Sequence, residues 1–214
     1  MDAQQIAHLT GRARRLAVSG RRRILGIAGA PGAGKSTLAA RLVENLGGLA
    51  VLVPMDGFHL AQAELNRLGR ADRKGAPDTF DATGYAALLA RLRAPAPGTV
   101  VYAPAFDRSL EEPVAGSIPV GSDIPLVITE GNYLLYDDGP WAPVRTHLDE
   151  TWFLELDPEV RVSRLIDRHV RFGKDRPRAE RWARESDEVN ARLVAECRDR
   201  ADLVVGIQAL SDTT

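Results

Sequence analysis

The chain has 214 residues, of which 44% are hydrophobic and 27% charged, as is typical of a globular protein large enough for one α/β domain. A formal net charge of −1 gives no general attraction to nucleic acid or anionic membranes, so we expect neither as a partner. The single cysteine, Cys197, excludes an intrachain disulfide and a cysteine metal cluster. Without a signal-peptide pattern or a long apolar run, a cytoplasmic protein without membrane insertion is expected. The oligomeric state stays open, a homodimer included.

The first predicted element is a leading helix over about residues 1–20. Its apolar residues share one face, and Arg12, Arg14 and Arg15 lie largely off it. The basic run 21–23 follows. A nucleic-acid patch is one interpretation of this run, but a solvated basic face is favoured, because acidic residues elsewhere balance the charge and no aromatic residues interleave.

A glycine-rich motif follows the short apolar run 24–28, which is typical of a buried strand. The motif reads G-x-x-x-x-G-K-S-T, the P-loop pattern, and a helical pattern over 38–46 ends at Gly47-Gly48. The residues predicted to bind nucleotide are Gly29, Ala30, Pro31, Gly32, Ala33, Gly34, Lys35, Ser36 and Thr37.

The chemistry of this motif follows from its geometry. Glycines allow several backbone N–H groups to point at phosphate oxygens, and the helix N-terminus adds its positive dipole end. We expect Lys35 to reach the β- and γ-phosphates, Ser36 to hold Mg²⁺, and Thr37 to contact a phosphate. A dinucleotide-binding loop is disfavoured because its G-x-G-x-x-G spacing is absent.

A second buried strand is predicted over 49–54 and leads to Asp56 and His59. Ligands of parallel α/β sheets bind at the carboxyl ends of the strands, so Asp56 should lie on the same rim as the P-loop. There it could accept the proton of an attacking hydroxyl or help to hold Mg²⁺ through water, while capping of the next helix is the structural alternative. His59 could orient a substrate or be a packed loop histidine.

The next segment offers several weaker candidates for a substrate pocket. A polar loop over 70–81 contains Arg73, Lys74 and Asp78, and Thr83 or Asp81 could cap a helix over 85–93. A short strand at 100–102 ends at Tyr102 and is followed by Asp107 and Arg108, which could line an acceptor pocket or form a plain surface turn. Residues 111–123 are predicted to form a hairpin or loop. A short helix is predicted over 61–68.

A third buried strand, 125–131, ends in Glu130-Gly131. An acidic residue at this position is suited to Mg²⁺ or its water shell, so Glu130 and Ser36 are the predicted metal residues. Asn132 and Tyr133 follow directly, and Tyr133 is a candidate substrate contact.

The last third predicts a helix over 141–147, a strand over 151–156 and a helix that begins at Asp157-Pro158. Four arginines on that helix form one stripe: Arg161, Arg164, Arg168 and Arg171. We expect a lid over about 161–178 that closes on nucleotide, with Arg164 and Arg168 as contacts; a solvated face paired with Asp167 and Glu159 is the alternative.

A long helix over 179–200 and a final strand over 201–207 complete the chain. The helix should bury Trp182, Val189, Leu193 and Cys197 and leave Glu180, Arg184 and Asn190 mostly outside. No internal repeat or linker is visible, so one domain spanning 1–214 is predicted.

These motifs together resemble the P-loop kinase group of uridine kinase, type I pantothenate kinase and phosphoribulokinase. The sequence 55–59 (MDGFH) resembles its catalytic D-[GS]-F segment, 77–81 (PDTFD) resembles P-D-A-F-D of uridine kinase, and 128–131 (ITEG) matches its E-G strand end. Tyr102 falls at a substrate-pocket tyrosine, 157–171 resembles the lid helix, and 201–205 resembles the closing strand. The likeness is greatest to bacterial proteins labelled fructose transport system kinase or nucleoside/nucleotide kinase family protein.

The chain also departs from uridine kinase. Gly75 stands where uridine kinase has a ribose-binding aspartate, and the segment after Tyr102 lacks its histidine, which weakens a nucleoside acceptor. Asn190 lies near an acceptor-contacting asparagine of pantothenate kinase and is a further candidate substrate contact.

The resemblance implies a three-layer α/β/α sandwich with a mainly parallel five-stranded sheet in the order 2-3-1-4-5 and a helical lid. It implies ATP and Mg²⁺ as cofactors and transfer of the γ-phosphoryl group to a hydroxyl of a small polar metabolite, a sugar or similar compound. Lys35, Asp56 and Arg168 are the predicted catalytic residues. The alternatives are a nucleoside or pantothenate kinase, or a nucleotide-gated regulatory ATPase associated with transport.

Overall fold

A parallel sheet forms the centre of the fold in the computed structural model, which describes residues 1–207; residues 208–214 of the predicted domain lie outside the described residues. The strands of this part are β1 (Arg23–Gly29), β2 (Ala50–Leu52), β3 (Val100–Asp107), β4 (Glu112–Gly121), β5 (Leu126–Gly131), β6 (Glu150–Leu156) and β7 (Leu203–Ile207). Five of them form the main sheet in the order β2-β5-β1-β6-β7, and all its pairings are parallel. Counted within this sheet alone, the order is 2-3-1-4-5, as the resemblance implies.

Helices cover both faces of the sheet. They are α1 (Ala3–Ala17), α2 (Lys35–Leu46), α3 (Gln62–Arg67), α4 (Ala82–Arg93), α5 (Pro158–Arg171), α6 (Arg176–Arg184) and α7 (Ser186–Ala195). Alternate residues of β1 pack into different hydrophobic clusters: Leu25 and Ile27 face α1 and α2, whereas Ile24 and Ala28 share a cluster with α4. Because side chains alternate along a strand, this apolar run fills two cores and produces three layers.

Aspartate caps fix the start of several helices. The Asp81 carboxylate accepts a hydrogen bond from the Gly84 backbone N–H, so Asp81 rather than Thr83 caps α4. Asp157 and Asp175 cap α5 and α6 in the same way, and a proline follows shortly in both helices. Aspartate caps therefore define where α5 and α6, the helices around the predicted lid, begin.

The structure corrects two predicted helices. The segment 141–147 contains the end of one 3₁₀ turn, Gly139–Trp141, and another, Val144–His147, instead of an α-helix. The predicted long helix over 179–200 is divided into α6 and α7 at Glu185, whose φ of −101° and ψ of −72° depart from regular α-helix values, and a 3₁₀ turn follows at Arg198–Arg200. After the break, Val189 is 64% exposed and Asn190 is buried, which reverses the predicted sides.

The short strand predicted at 100–102 is longer than expected. Strand β3 continues to Asp107 and pairs with β4 as an antiparallel hairpin outside the main sheet.

The basic run 21–23 also differs from the solvated face that was predicted, because Arg22 is buried and donates to the carbonyls of Leu92 and Ile124. Among residues 1–207, no helix is both long and apolar enough to cross a membrane.

A buried hydroxyl pair joins α4 to the sheet and provides a test of the fold. The Thr129 hydroxyl donates to the Val53 carbonyl at 2.6 Å and accepts from the Tyr85 hydroxyl at 2.6 Å. Thr129→Val would leave both partners without this bond, so we expect a loss of about 2–3 kcal/mol in the free energy of unfolding, measured with urea, because buried unsatisfied groups are costly. Tyr85→Phe, which leaves the threonine–carbonyl bond intact, should lose about 1 kcal/mol.

Tyr136→Phe is the matched control, since the Tyr136 hydroxyl bonds to exposed Asp138. Wild-type stability in the Thr129→Val protein would contradict this account of the α4–sheet contact.

Candidate active site

The P-loop connects β1 to α2 in a conformation that needs glycine. Gly32 and Gly34 have φ of 81° and 95°, values that side chains rarely adopt. A Cβ at Gly32 would also lie 2.9 Å from the Arg161 carbonyl oxygen of α5. The loop is therefore packed closely under α5, with its backbone at the N-terminus of α2, which is suited to binding phosphate.

Lys35 is buried at the base of this loop. Its ammonium donates to the Ala30 carbonyl at 3.0 Å and to the Asn132 side-chain oxygen at 2.8 Å. Burial lowers the pKa of Lys35 to about 8, although Glu130 and Asp56 oppose this effect. A bound anion would stabilise the charged ammonium, so this position favours phosphate groups.

An acidic group faces Lys35 at the ends of β2 and β5. The Ser36 hydroxyl donates to a Glu130 carboxylate oxygen at 2.8 Å, and Glu130 is 5% exposed. Burial, followed by the nearby charge of Asp56, raises the pKa of Glu130. A hydroxyl and two neighbouring carboxylates are hard oxygen donors of the kind that Mg²⁺ prefers, so these residues fit the implied metal ion.

Asp56 lies in the 3₁₀ turn Met55–Phe58 directly after β2. Its carboxylate does not cap a helix; it pairs with Arg108 at 3.0 Å. The hairpin reaches Asp56 because the backbone of Gly57 packs against β3, where an added Cβ would lie 2.4 Å from the Pro104 carbonyl oxygen. The close packing of Gly57 against β3 thus brings Arg108 of the hairpin to Asp56 of the 3₁₀ turn.

His59 is packed among aromatic side chains and also lines a cavity, where it could orient a substrate. Its ring stacks on Phe80 at 4.0 Å and is tilted against Phe106 at 5.0 Å, and Nε2 is 4.0 Å from the Asp56 carboxylate. Burial lowers the pKa of His59 to about 4. His59 is therefore neutral at physiological pH beside Asp56.

Two cavities meet at the P-loop. The inner cavity, of about 260 Å³, is bounded by the ends of β2 and β5, by the hairpin and by α5–α7; its lining includes Lys35, Asp56, His59, Lys74, Phe106, Arg108, Glu130, Asn132, Arg168, Lys174, Trp182, Asp187 and Asn190. The outer groove, of about 500 Å³, is lined by Gly34, Thr37, Arg41, Arg164 and Ile207, among others. Gly32, Lys35, Ser36 and Arg168 line both. A ligand in each cavity would therefore approach the other at these four residues.

The four arginines of α5 have different surroundings. Arg161 is buried, donates to the Pro31 carbonyl and pairs with Glu188 of α7, rather than with Asp167 or Glu159. Arg164 reaches the outer groove, and Arg168 lies where the two cavities meet. Burial and the neighbouring charge of Arg108 lower the pKa of Arg168. Arg171 is exposed, so Arg164 and Arg168 are the arginines of the stripe that line the inner cavity or the outer groove.

Several predicted substrate contacts lie away from the inner cavity. Tyr102 is 59% exposed on the outside of the hairpin. The Asp107 carboxylate accepts hydrogen bonds from the backbone N–H groups of Ser109 and Leu110. Asp107 therefore stabilises the turn of the hairpin and does not line the inner cavity. Tyr133 is buried in the core and donates to the Gly75 carbonyl at 2.6 Å, so it supports the cavity wall from behind.

The P-loop residues also divide between surfaces. Pro31, Gly32, Lys35 and Ser36 line the inner cavity, and Gly34 and Thr37 line the outer groove. Ala30 and Ala33 line a separate, largely apolar groove beside β6 and α7. Gly29 instead permits close packing, because a Cβ there would lie 2.7 Å from the Leu154 carbonyl oxygen.

Sequence reasoning missed several residues of the inner cavity. Asn132 binds Lys35, whereas its neighbour Tyr133 is the residue that was singled out. Lys74, one of the weaker candidates from the sequence, does reach the cavity from the polar loop, while Arg73 and Asp78 of the same loop pair with each other at 2.7 Å. Lys174, Trp182 and Asp187 arrive through the fold of α5–α7. For the residues that were missed, the only local signal was a position close to a predicted site residue or to the predicted lid.

The lowered pKa of His59 predicts a pH-dependent stability. The unfolded chain, with an ordinary histidine pKa near 6.5, binds the proton more readily than the folded protein, whose His59 pKa is about 4. The stabilising contribution is complete above about pH 6.5 and is lost as the pH falls towards 4. The total loss of folding stability from this group amounts to up to about 3 kcal/mol. His59→Gln should therefore lose less stability than wild type between pH 6.5 and 4.5 in urea denaturation.

The control for this measurement is His8→Gln, since His8 is exposed on α1. An acid-induced loss in His59→Gln as large as that of wild type would show that His59 does not carry the effect.

Comparisons with known proteins agree with this architecture. The family model described as "Phosphoribulokinase / Uridine kinase family" matches residues 24–214. A crystal structure of a "putative fructose transport system kinase" from Silicibacter sp. TM1040 is 36% identical, with a TM-score of 0.84, and the match covers 94% of this chain and 98% of that one.

Curated proteins are also similar to this chain. The "Uncharacterized protein YggC" of Escherichia coli K12 is 34% identical over 86% of this chain and 78% of its own length. The "ATP-dependent kinase-like protein notR'" of Aspergillus versicolor is 35% identical over 64% of this chain and 84% of its own length. The P-loop, the sheet order and these matches together show that the chain is an ATP-dependent P-loop kinase and belongs to the phosphoribulokinase/uridine kinase family.

Proposed function

We propose that this kinase transfers the γ-phosphoryl group of ATP, with Mg²⁺, to a hydroxyl of a small polar metabolite, such as a sugar or a related compound. The observation that carries the proposal is the meeting of the inner cavity and the outer groove at Lys35, Ser36 and Arg168. ATP in the outer groove would direct its γ-phosphate towards an acceptor in the inner cavity. Because the activity consumes ATP, we expect the protein to act in the cytoplasm.

The residues around this junction supply the positive charge that phosphoryl transfer requires. Lys35 and the P-loop amides bind the β- and γ-phosphates, and Arg168 stabilises charge on the transferring group. Arg164 and Thr37 hold the nucleotide from the outer groove. Ser36 and Glu130 would hold Mg²⁺, which when bound neutralises charge on the phosphate oxygens.

Asp56 is the group that accepts the acceptor's hydroxyl proton. Its carboxylate lines the inner cavity on the rim that also carries Lys35, and Arg108 fixes its orientation. Neutral His59 packs beside Asp56 without competing as a second charge. Since phosphoryl transfer depends mainly on positioning and electrostatics, one oriented base and these cations are sufficient in kind.

The three alternatives differ in how well they agree with the cavity. A nucleoside kinase lacks support because Gly75, which borders the inner cavity, replaces the ribose-binding aspartate of uridine kinase. A pantothenate kinase agrees with the position of Asn190 on the cavity wall and is included in the substrate screen below. A nucleotide-gated regulatory ATPase would not need a carboxylate and a paired arginine facing a second cavity.

The role of Lys35 predicts a large loss of activity. Lys35→Ala should reduce turnover by at least ~10²-fold, the scale expected when a strong transition-state donor is removed. Turnover is measured as ADP release with Mg²⁺–ATP in a screen of sugars, sugar acids, pantothenate and uridine, with mass spectrometry to detect the phosphorylated product. Near-normal turnover in this variant would rule out the assignment.

The role of Asp56 separates a kinase from a nucleotide switch. Asp56→Asn should lower acceptor phosphorylation by ~10²–10⁴-fold, the usual contribution of a general base, while ATP binding by calorimetry stays intact. Asp199→Asn is the control, because the Asp199 side chain is 90% exposed. Slow ADP release that no acceptor stimulates, and that Asp56→Asn does not change, would favour the regulatory ATPase.

A further inference from the structure

The use of lysine in this chain is confined to one place. Only three of its 28 basic residues are lysines, and all three, Lys35, Lys74 and Lys174, line the inner cavity. Arginine provides the remaining positive charge. Lys35 belongs to the P-loop, so the other two lysines need a separate explanation.

Lys74 and Lys174 are cations without a carboxylate partner. Within residues 1–207, neither ammonium lies within ion-pair distance of an Asp or Glu side chain. Arg108 of the same cavity differs, because it is paired with Asp56. A lysine charge held partly away from water with no carboxylate at ion-pair distance costs free energy, and this cavity holds two of them. Burial lowers the pKa of Lys174, and the more distant charges of Glu111 and Asp187 oppose this effect only in part.

Neutral groups hold the Lys74 ammonium. It donates to the Glu111 carbonyl at 2.8 Å and lies 5.3 Å from the centre of the Phe106 ring. Among the described residues, Glu111 is the only non-glycine residue with a positive φ, 54°, and it lines the same cavity. This backbone conformation accompanies a carbonyl contact that fixes Lys74 without neutralising it.

Lys174 reaches the cavity from the segment between α5 and α6. It lies 5.2 Å from the Trp182 ring centre and 3.4 Å from His169 Nδ1, while His169 Nε2 is 2.7 Å from the Asp187 carboxylate. The tautomer that satisfies both contacts accepts from Lys174 and donates to Asp187. The His169 ring therefore lies between the Lys174 ammonium and the Asp187 carboxylate.

We propose that Lys74 and Lys174 bind an anionic oxygen group of the acceptor, a carboxylate or a phosphate monoester. The acceptor is then a hydroxylated acid or phosphate ester, and neutral sugars and nucleosides are poor substrates. This inference rests on the proposed role of the inner cavity as the acceptor site. A lysine ammonium, as a compact point charge with three donors, suits such a group in either form.

The position of the two lysines argues against a role in binding ATP. Neither lines the outer groove, where Arg164, Thr37 and Gly34 are available to the nucleotide. Lys35 and Arg168 already serve the junction between the cavities. Lys74 and Lys174 are therefore the cations of the inner cavity that are available to bind the acceptor.

The test uses the full chain saturated with Mg²⁺ and a non-hydrolysable imido analogue of ATP, which keeps added anions away from the P-loop. Matched series are titrated by calorimetry: glycerol, glycerate and glycerol phosphate; ribitol, ribonate and ribitol phosphate; sorbitol, gluconate and sorbitol phosphate. At least one acid or phosphate ester should bind 10-fold or more tightly than its neutral polyol. Lys74→Gln and Lys174→Gln should each weaken that binding by about 10-fold or more, the scale of a hydrogen bond to a charged group.

Control variants separate charge from folding. Arg67→Gln removes an exposed cation that pairs with Glu64 on α3, and it should leave anion binding unchanged. Lys74→Arg and Lys174→Arg keep the charge and should retain more anion binding than the glutamine variants. With ATP and the same acceptor, the glutamine variants should raise KM more than they lower kcat.

The outcomes are distinct. The proposal is overturned if no anionic compound of the series binds better than its neutral partner, if the glutamine variants bind it as well as wild type does, or if they lose the ATP analogue instead. Carboxylate and phosphate members of each series identify the form preferred. Lysine-dependent anion binding without ADP formation would support the anionic subsite and reject the kinase role proposed for it.

Discussion

The close contact between the P-loop and α5 is the constraint on which the rest of the site depends. Gly32 lets the two backbones approach, and Arg161 joins Pro31 of the loop to Glu188 of α7. Arg168 lies seven residues further along α5, about two helical turns, and so projects from a similar face over the loop. Because α7 is tied to the same arginine, the wall of the inner cavity that carries Asp187 and Asn190 is built from this contact as well.

The site holds opposing charges that do not satisfy each other fully. Burial pushes Lys35 towards its neutral form and Glu130 towards its protonated form, since both lose hydration. Phosphate oxygens and a divalent cation would reverse both tendencies when bound. The folded protein thus bears the free-energy cost of burying these charges before the ligand binds. Preorganised charges of this kind can then stabilise the transferring phosphoryl group, as is usual in active sites.

The parts that could be predicted from sequence are those with a local physical signal. The spacing of apolar residues and glycines around Lys35 predicts a buried strand, a phosphate-binding loop and a helix. Glu130 can be predicted as a site residue because it stands at the end of an apolar run. The order of the sheet came from resemblance. Tyr133 was preferred over Asn132, and Lys174 was missed, because the direction of a side chain after a strand and the break at Glu185 depend on packing between distant elements. The pattern of apolar residues within one segment carries no information about contacts between distant segments.

The buried hydrophobic residues of α5 and α6 form a cluster of their own. Val162, Leu165, Ile166, Ala179 and Ala183 pack together, apart from the two clusters that flank the sheet. Five small or medium side chains bury far less apolar surface than either main core, so α6 can open at a lower free energy than the sheet. Amide protons of α6 should then exchange with solvent while those of β1 and β5 stay protected, and a ligand that bridges α5–α7 to the P-loop would slow this exchange by removing the open state.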